Sequence, residues 1–433
     1  MNSISAVKSI RVGVLGCGNV GAPLVGLVAR QKAVIEARKG VSLQVVKVAV
    51  RDTTKARGID LPAGALTDDA MAVVNDPDVD VVVELIGGVE PARTLITTAL
   101  RNGKPVITGN KELLAKHGAE LFALADELGV DLLFEAAVAG GIPIVRALRE
   151  SLRGEPVSRI MGIINGTTNF ILTKMTEEGA EYATVLAEAQ ALGYAEADPT
   201  ADVEGYDAGA KAAIMASIAF GAEVVAGDVH HEGISSLTAA DIAMAKRLGY
   251  VVKLLGIAEQ DRATGAIGVR VHPTLVPFTH PLASVRLAYN AVFVEGDSVG
   301  SLMFYGRGAG GDPTASAVLG DVIDAATNLS KHTHATLGAF PRATIRPISE
   351  ITAEYLLIMD VADRPGVLHA VTGVFARHGV SIRAAEQEGL GDDARLVFIT
   401  HDAVEASVQA TVRELRGLDE VLNVNTVLRV VGS

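Results

Sequence analysis

The chain has 433 residues, 49% of them hydrophobic and 21% charged, a composition typical of a globular protein that is long enough for about three domains. A net charge of −13 argues against nucleic acid as a partner, because binding phosphates requires a basic surface. A single cysteine, Cys17, excludes an intramolecular disulfide, and no apolar run reaches the roughly 18 residues that a membrane span needs. We therefore expect a cytoplasmic, multidomain enzyme.

The first third of the chain alternates between strand and helix patterns. Apolar strand patterns end at Leu15, Val50 and Gly87, a fourth lies within 105–112, and a fifth ends near Glu135. Helical patterns lie between them at 68–75, 91–102 and 112–128. This alternation predicts a parallel sheet covered by helices on both faces, a Rossmann-type α/β domain over residues 8–140.

A glycine motif joins the first strand to the first helix. Gly16, Gly18 and Gly21 form G-x-G-x-x-G, with Asn19 and Val20 inside the loop. In this position the motif brings backbone amides and a helix N-terminus to a pyrophosphate, so it predicts a dinucleotide site. The alternative is a glycine-rich turn without a ligand.

The end of the second strand bears on the choice of cofactor. It carries Arg51, with Lys55 and Arg57 close behind, and a cationic tip suits the 2′-phosphate of NADP(H). Asp52 leaves NAD(H) open, since an acid here serves a free ribose hydroxyl. Exposure of these cations on an ordinary loop is the other interpretation.

An unusually acidic segment lies in the middle of the chain. Between Gly193 and Lys211 there are five carboxylates and no base before Lys211; the acids are Glu196, Asp198, Asp202, Glu204 and Asp207. Asp207 and Lys211 are four residues apart in an apolar helical pattern, which places acid and amine on one face. An ordinary surface ion pair is one interpretation. A site for a cationic group is the other, favoured because Lys211 lies on a segment expected to be buried.

The same stretch, residues 189–211, carries A-x3-G-Y-x-E-x-D-P-x2-D-V-x-G-x-D-x3-K, which resembles the signature segment of homoserine dehydrogenases. T-G-N-K at 108–111 is similar to the T-A-N-K usual in that family, and Gly109 leaves Asn110 and Lys111 intact. The resemblance covers nearly the whole chain. It implies the reversible NAD(P)H-dependent reduction of L-aspartate 4-semialdehyde to L-homoserine, in threonine and methionine biosynthesis.

The resemblance also implies roles for particular residues. Hydride reaches the aldehyde carbon while Lys211 stabilises and protonates the developing alkoxide, Asp207 orients it, and Lys111 assists near the nicotinamide. Glu196 would hold the α-ammonium group of the substrate. Asn165 and Thr167, in N-G-T-T-N-F at 165–170, would supply polar donors near the substrate.

Two glycine-containing segments take their roles from the resemblance alone. Residues 306–316 resemble the segment that returns to the cofactor, with Gly308 and Gly310 in contact with it, so that 308–331 completes the first domain. Residues 135–142 resemble a loop that holds a monovalent cation, sodium. Its ligands would be Glu135 and the backbone carbonyls of Val138, Gly140 and Ile142, since oxygen ligands suit a hard cation.

The remaining chain predicts two further units. Residues 141–307 have longer helices and then β-rich stretches at 266–271 and 292–295, which indicates an α+β catalytic and oligomerisation domain, followed by a linker at 332–353. Residues 354–433 have a βαββαβ pattern with D-R-P-G-V-L at 363–368, and resemble an ACT domain. That resemblance implies an amino-acid effector, threonine being the expected one, although a ferredoxin-like unit without regulation has the same pattern. We expect a homo-oligomer, a dimer or tetramer.

Three other interpretations were weighed. Aspartate-semialdehyde dehydrogenase needs a nucleophilic cysteine, and Cys17 lies in the glycine loop instead. An amino-acid-sensing ACT regulatory protein with a vestigial cofactor fold stays as the alternative, opposed by the intact set Glu196, Asp207 and Lys211. Fusion to aspartokinase is not expected, because no kinase-like region precedes residue 10. The pair His230–His231 is interpreted as a surface turn.

Overall fold

The computed structural model describes residues 7–389 and 394–432. Its first part forms a six-stranded parallel sheet in the order 3-2-1-4-5-6. The strands are β1 (Lys8–Leu15), β2 (Val41–Ala49), β3 (Leu66–Thr67), β4 (Val81–Glu84), β5 (Val106–Thr108) and β6 (Leu132–Leu133). The helices are α1 (Gly21–Lys39), α2 (Ala70–Asn75), α3 (Ala92–Arg101) and α4 (Lys111–Leu128).

This sheet has the doubly wound arrangement in which ligands bind beyond the carboxyl ends of the strands. The predicted Rossmann-type fold is confirmed. Two details differ from the prediction. The short strand β3 was not expected, and the fifth expected strand is shortened to β6 because the chain turns into a 3₁₀-helix at Glu135–Ala137.

The middle part of the chain supplies most of a second, larger sheet and the helices packed on it. Its elements are α5 (Ile144–Arg146), β7 (Val157–Ile163), α6 (Gly166–Glu178), α7 (Tyr182–Ala191), α8 (Thr200–Val203), α9 (Tyr206–Phe220), β8 (His230–His231), α10 (Ala239–Arg247), β9 (Tyr250–Gln260), β10 (Ile267–Pro277), β11 (Tyr289–Gly296), β12 (Gly300–Arg307) and α11 (Gly311–Lys331). The last helix returns to the first sheet and packs along α1.

The strand content of this part exceeds the prediction. Strands β7 and β9 are buried over most of their length on both faces, so they lack the alternation of apolar and polar residues that marks a half-buried strand. A continuous apolar run is compatible with a buried helix as well as with a strand. The sequence pattern therefore underestimated the sheet.

The C-terminal part has the predicted βαββαβ order. Its elements are β13 (Thr352–Val361), α12 (Val367–Arg377), β14 (Ile382–Glu388), β15 (Arg395–Thr400), the short β16 (Ala403–Val404), α13 (Glu405–Leu415) and β17 (Val421–Val430). These strands continue the second sheet, whose main path runs β12-β11-β7-β9-β10-β17-β13-β15-β14. The C-terminal unit and the middle of the chain thus share one sheet, joined where β10 pairs with β17.

Three separate segments cover the outer side of β10. Ile345, from the region predicted as a linker, forms a bridge with Ile267 at the start of the strand. Strand β8 pairs with Arg270 and Val271, and β17 pairs with Thr274 and Leu275. The junction between the two parts of the sheet is therefore built from short contributions along a single strand.

Among residues 7–389 and 394–432, no helix combines the length and apolarity that crossing a bilayer requires.

Candidate active site

Helix α9 carries the predicted acid and base on a buried surface. It begins after Gly205, which has φ +84°, and a side chain there would lie 2.8 Å from Val271. The first turn brings Asp207 inward, and the next places Lys211 with only 9% of its surface exposed. A lysine that deep in an Ala- and Ile-rich helix is costly unless its ammonium group is hydrogen-bonded.

The ammonium group of Lys211 has two protein acceptors. Its Nζ donates to Oδ2 of Asp207 at 2.6 Å and to the carbonyl of Ile164 at 2.8 Å. Burial lowers the pKa of Lys211, and the charge of Asp207 acts against that effect by raising it. The two nearby lysines in turn hold the pKa of Asp207 well below its usual range although the carboxylate is buried. The carboxylate is therefore ionised.

The second of those lysines comes from the first domain. Lys111 begins helix α4 directly after Asn110, whose side chain accepts from the amide of Leu113. Its Nζ contacts Oδ1 of Asp207, the oxygen that Lys211 does not use. Lys111, Asp207 and Lys211 are thus brought together, and the pair on α9 is not an ordinary surface ion pair.

Asn165 and Asp202 complete the polar group around Asp207. Asn165 caps helix α6 through Oδ1, which accepts from the amide of Thr168, while its Nδ2 donates to Asp202 at 2.7 Å and to Asp207 at 3.0 Å. Burial raises the pKa of Asp202. Asp202 was not predicted to have a role, although its place in the acidic segment was a signal.

These side chains line a cavity of about 1030 Å³. Thr167 lines it too, and its hydroxyl donates to the carbonyl of Tyr194 at 2.6 Å. Glu196 lies exposed in the wall, and within the described part of the chain its carboxylate forms no ion pair. The same cavity is therefore lined by a carboxylate without an ion-pair partner among the described residues and by the lysine pair.

Two cavity residues were missed in the sequence. The prediction of a surface turn at His230–His231 is wrong, because these residues form strand β8 against β10. His231 lines the cavity, and its ring lies 4.9 Å from that of Tyr206. Arg307, at the end of β12, also lines the cavity and lies over the ring of Tyr289. Both positions depend on strand register, which has no local sequence signal.

The glycine motif borders a second cavity of about 690 Å³. Gly16 has φ +95°, and a side chain there would lie 2.7 Å from the carbonyl of Leu85; a side chain on Gly21 would overlap the carbonyl of Gly16. Gly18 has open space beside it. In the same loop, Val20 precedes helix α1, and the carbonyl of Asn19 lies against Gly311. The loop is tightly packed except at Gly18, where the backbone faces the cavity.

The cationic strand end lies on the same cavity. Arg51 and Lys55 both line it, as does Asp52. The carboxylate of Asp52, however, accepts hydrogen bonds from the amide and hydroxyl of Thr54, at 2.9 and 2.6 Å, which lower its pKa. Both hydrogen bonds fall on Oδ1, so this oxygen is occupied within its own turn.

A third cavity, of about 300 Å³, lies between the other two. Lys111 and Lys211 line both this cavity and the large one, while Gly87 lines both this cavity and that of the glycine motif. Glu84, which the sequence analysis missed, is buried and accepts from the amides of Ile86 and Gly87 at 2.8 and 3.1 Å. A continuous groove therefore leads from the glycine loop to the two lysines.

Residues 306–316, the segment predicted to return to the cofactor, border this groove through Gly308. Gly308 follows β12, and a side chain there would overlap Asn290. Gly310 has φ +121° and precedes helix α11. Both line the large cavity, which the lysine pair also lines.

The proposed cation loop is held from its other side. The carboxylate of Glu135 accepts from the amides of Val145 and Arg146 at 2.9 and 2.7 Å, and burial raises its pKa. The carbonyl of Ile142 accepts from Ile144 at 2.8 Å. Those of Val138 and Gly140 have no hydrogen-bond donor among the described residues.

No group of three or more His, Cys, Asp or Glu side chains suited to a metal occurs within residues 7–389 and 394–432. A cation at this loop would accordingly rest on backbone oxygens, with the carboxylate of Glu135 turned towards helix α5. Unpaired carbonyls fit a hard monovalent ion.

Comparison with known proteins gives the same picture. Residues 143–323 match the family model for homoserine dehydrogenase, residues 16–135 match its NAD-binding domain, and residues 355–420 match the ACT domain. Homoserine dehydrogenase from Corynebacterium glutamicum is 49% identical over 98% of this chain and 96% of its own.

Solved structures agree. A homoserine dehydrogenase from Thiobacillus denitrificans has a TM-score of 0.92 and 43% identity, covering 98% of both chains. A hyperthermophilic archaeal homoserine dehydrogenase in complex with NADPH matches with a TM-score of 0.62 and 28% identity, over 73% of this chain and 98% of its own.

Identity at this level along almost the full length of both chains decides the family. The predicted reaction class and the nicotinamide cofactor are confirmed, and the alternative of a regulatory protein with a vestigial cofactor fold is not favoured. The chain belongs to the homoserine dehydrogenase family of oxidoreductases that act on a CH–OH group.

Proposed function

We propose that the chain interconverts L-aspartate 4-semialdehyde and L-homoserine at the lysine pair, with Lys211 as the acid of the reducing direction. The observation that carries this proposal is the carboxylate of Asp207, shared by lysines from two domains where the groove and the large cavity meet. Such a site places a proton donor and fixed positive charge beside the end of a cofactor groove.

The groove fits a dinucleotide, because Gly18 leaves its backbone open to the cavity and the α1 N-terminus follows at once. A bound reduced nicotinamide supplies a hydride to the aldehyde carbon. The carbonyl π electrons move to oxygen, and the resulting alkoxide takes a proton from Nζ of Lys211. In the reverse direction, neutral Lys211 accepts the hydroxyl proton.

Burial prepares Lys211 for this role. A lysine whose pKa is lowered gives up its proton more readily than a surface lysine, and Asp207 keeps enough of the ammonium form present. Lys111 supports the same step with fixed positive charge at the other oxygen of Asp207. Both lysines line the small connecting cavity, so both are within the region that the reacting carbon would enter.

We propose that Glu196 holds the amino-acid end of the substrate in the large cavity. Glu196 is a negative group without a protein ion-pair partner among the described residues, which suits an α-ammonium group. Thr167 and Asn165 line the same cavity, where Thr167 donates to the carbonyl of Tyr194 and Asn165 donates to Asp207. We assign them to substrate positioning.

The cofactor is proposed to be NADP(H) rather than NAD(H). Arg51 and Lys55 line the groove, whereas Oδ1 of Asp52 already accepts two hydrogen bonds from Thr54. A 2′-phosphate gains from the two cations, while a ribose hydroxyl gains from one remaining carboxylate oxygen.

A sodium ion is proposed at residues 135–142, held by the carbonyls of Val138 and Gly140, while Glu135 and the carbonyl of Ile142, the other predicted ligands, accept from backbone amides. It would stiffen the loop that packs against Gly308. Sodium titration of the melting temperature, against potassium and choline at equal ionic strength, tests this. Equal melting temperatures in all three salts would contradict the proposed sodium site.

We also propose that threonine regulates the enzyme by binding at residues 354–433, and that the chain forms a dimer or tetramer. The proposed domain limits are 8–140 with 308–331 for the cofactor domain, 141–307 for the catalytic domain and 332–353 for the linker. What supports regulation is the ACT family match and the shared sheet. The test uses the full chain: activity and melting temperature with L-threonine against L-alanine, and light scattering for the assembly. Identical results with the two amino acids would exclude threonine.

The decisive experiment on the reaction follows NADPH absorbance with L-aspartate 4-semialdehyde. Wild-type protein should consume NADPH and yield L-homoserine, and Lys211→Ala should not. Inactive wild-type protein, or a fully active variant, would overturn the proposal. Cys17 offers no competing thioester chemistry, because it is buried in the glycine loop and burial raises the pKa of its thiol.

A further inference from the structure

An arginine of the C-terminal domain links that domain to the wall of the large cavity. Arg429 lies on β17 and is 6% exposed. Its Nη1 and Nη2 donate to the two carboxylate oxygens of Glu232 at 2.9 and 2.8 Å, and its Nε donates to Glu405 at 2.8 Å. Glu405 begins α13 in the same domain, whereas Glu232 follows β8 in the other one. One guanidinium therefore joins two domains through a paired, fork-shaped contact.

Glu232 is fixed along its backbone as well as through its side chain. Its amide donates to the carbonyl of Val271 on β10 at 2.8 Å. Its Oε1 also accepts from the ring of His230. The position of β8 and of the residues that follow it thus depends on β10 on one side and on Arg429 on the other.

The residues beside Glu232 pack against the start of α9, the helix that carries Asp207 and Lys211. His231 packs so closely on Gly209 that any side chain at position 209 would overlap its ring, and the same ring lies 4.9 Å from that of Tyr206. Asp207 lies between these two contacts in α9. A shift of His231 therefore cannot occur without moving the first turn of α9 or opening a gap against it.

A second set of contacts holds the turn before α9. A side chain on Gly233 would lie 2.6 Å from the carbonyl of Val203, and the amide of Ile234 donates to that same carbonyl at 2.8 Å. Residues 231–234, called the wedge below, pack against residues 203–209. The wedge also supplies part of the cavity wall through His231.

We propose that Arg429 is a positioning residue for the substrate side of the active site, acting through Glu232 and the wedge on α9. The C-terminal domain then contributes to substrate binding in the resting enzyme, with or without an effector. This inference uses the proposed reaction only to supply the kinetic readout, since the contacts themselves are independent of the chemistry.

The test compares two variants that each neutralise one partner of Arg429. Glu232→Gln weakens the contact with the wedge, and Glu405→Gln weakens the matched contact inside the C-terminal domain. Both should lower the melting temperature, because each disturbs a buried charge. Only Glu232→Gln should raise the KM for L-aspartate 4-semialdehyde, by roughly tenfold, with kcat and the KM for NADPH changed less than about twofold.

Arg429→Lys provides a third variant. It keeps the charge but loses the fork geometry, so it should follow Glu232→Gln in KM rather than Glu405→Gln. Amide hydrogen exchange gives a readout free of catalysis: residues 203–211 should exchange faster in Glu232→Gln and Arg429→Lys than in Glu405→Gln.

Equal KM values in all three variants, or faster exchange confined to the C-terminal domain, would overturn the inference. A parallel rise of both KM values would do the same, since it would indicate general loosening. If the wild-type enzyme fails to use the aldehyde, the proposed reaction fails, while the exchange measurement still decides the role of Arg429.

Discussion

Lys111, which begins helix α4 in the cofactor-binding domain, contacts the carboxylate of Asp207 on helix α9 of the neighbouring domain. The opposite oxygen of Asp207 accepts from Lys211, so that one carboxylate separates two ammonium groups. This arrangement joins the two domains at the point where their cavities meet. It also means that each of the three side chains can be tested by its effect on the others.

Replacing Lys211 should remove the proton donor without unfolding the protein. We expect Lys211→Met to lower kcat by about 10²- to 10⁴-fold, the range for loss of a general acid. The thioether fills the buried space, and Asp207 keeps Lys111 as its partner. Lys174→Met, at a lysine on α6 that pairs with Glu178, is the control and should keep wild-type activity. A kcat within twofold of wild type for Lys211→Met would contradict the assignment.

Replacing Lys111 should show what its positive charge beside Asp207 contributes to the reaction. Lys111→Ala should lower kcat/KM by about 10²-fold or more through loss of fixed positive charge near the alkoxide. Lys246→Ala, at an exposed lysine on α10 whose Nζ donates to the carbonyl of Thr176, should leave kcat/KM unchanged. Steady-state rates with NADPH measure both. Matching effects of the two variants would show that the loss is not specific to Lys111.

Replacing Asp207 should change the pH dependence in a defined direction. Asp207 raises the pKa of Lys211 against the lowering effect of burial, and the reducing direction needs protonated Lys211. In Asp207→Asn that support is lost, so the pKa of Lys211 falls further and the alkaline limb of kcat/KM for reduction moves to lower pH. Asp261→Asn, in an exposed turn, is the control. An alkaline limb that stays in place, or moves upward, would refute this coupling.

Replacing Arg51 should change the preference between cofactors. Arg51→Ala should raise the KM for NADPH by roughly tenfold, the effect of about 1.4 kcal/mol from a lost phosphate contact, and leave the KM for NADH nearly unchanged. Arg30→Ala, on the exposed side of α1, should alter neither. Parallel changes with the two cofactors would mean that Arg51 does not recognise the 2′-phosphate.

Adding one methyl group should disturb the contact between the cation loop and the returning segment. Gly140 has φ +50°, and a Cβ there would overlap the carbonyl of Gly308, so Gly140→Ala should cost about 1–3 kcal/mol and raise the KM for NADPH. Gly154→Ala is the matched control, because nothing lies within 4 Å of its Cβ position. Thermal unfolding and cofactor titration check both, and an unaltered Gly140→Ala protein would refute the close packing.

The contacts within helix α9 could be predicted from the sequence, but few of the contacts between distant residues of the site could. Asp207 and Lys211 lie one helical turn apart, so their pairing follows from spacing alone. The contact between Lys111 and Asp207 joins residues 96 positions apart, and only the family resemblance pointed to it. His231 was assigned to a turn because two residues carry no strand periodicity; pairing with β10 decides their conformation.

The ion pair between Glu232 and Arg429 could not be predicted from the sequence either, because it depends on where two parts of one sheet meet. Strands β7 and β9 were missed for a related reason. Both of their faces are covered, so apolar residues run on without alternation, and only tertiary packing distinguishes such a run from a buried helix.

The covering of β10 has a consequence for solubility. An uncovered strand at the border of a sheet offers unpaired amides and carbonyls to another chain and so promotes aggregation. In this protein the linker, β8 and β17 each protect a different stretch of β10. A chain cut at residue 353 would keep the first two and expose Thr274 and Leu275, next to a Glu232 deprived of its arginine. The C-terminal domain is therefore also expected to prevent self-association, and an enzyme truncated at residue 353 should aggregate more readily than the full chain.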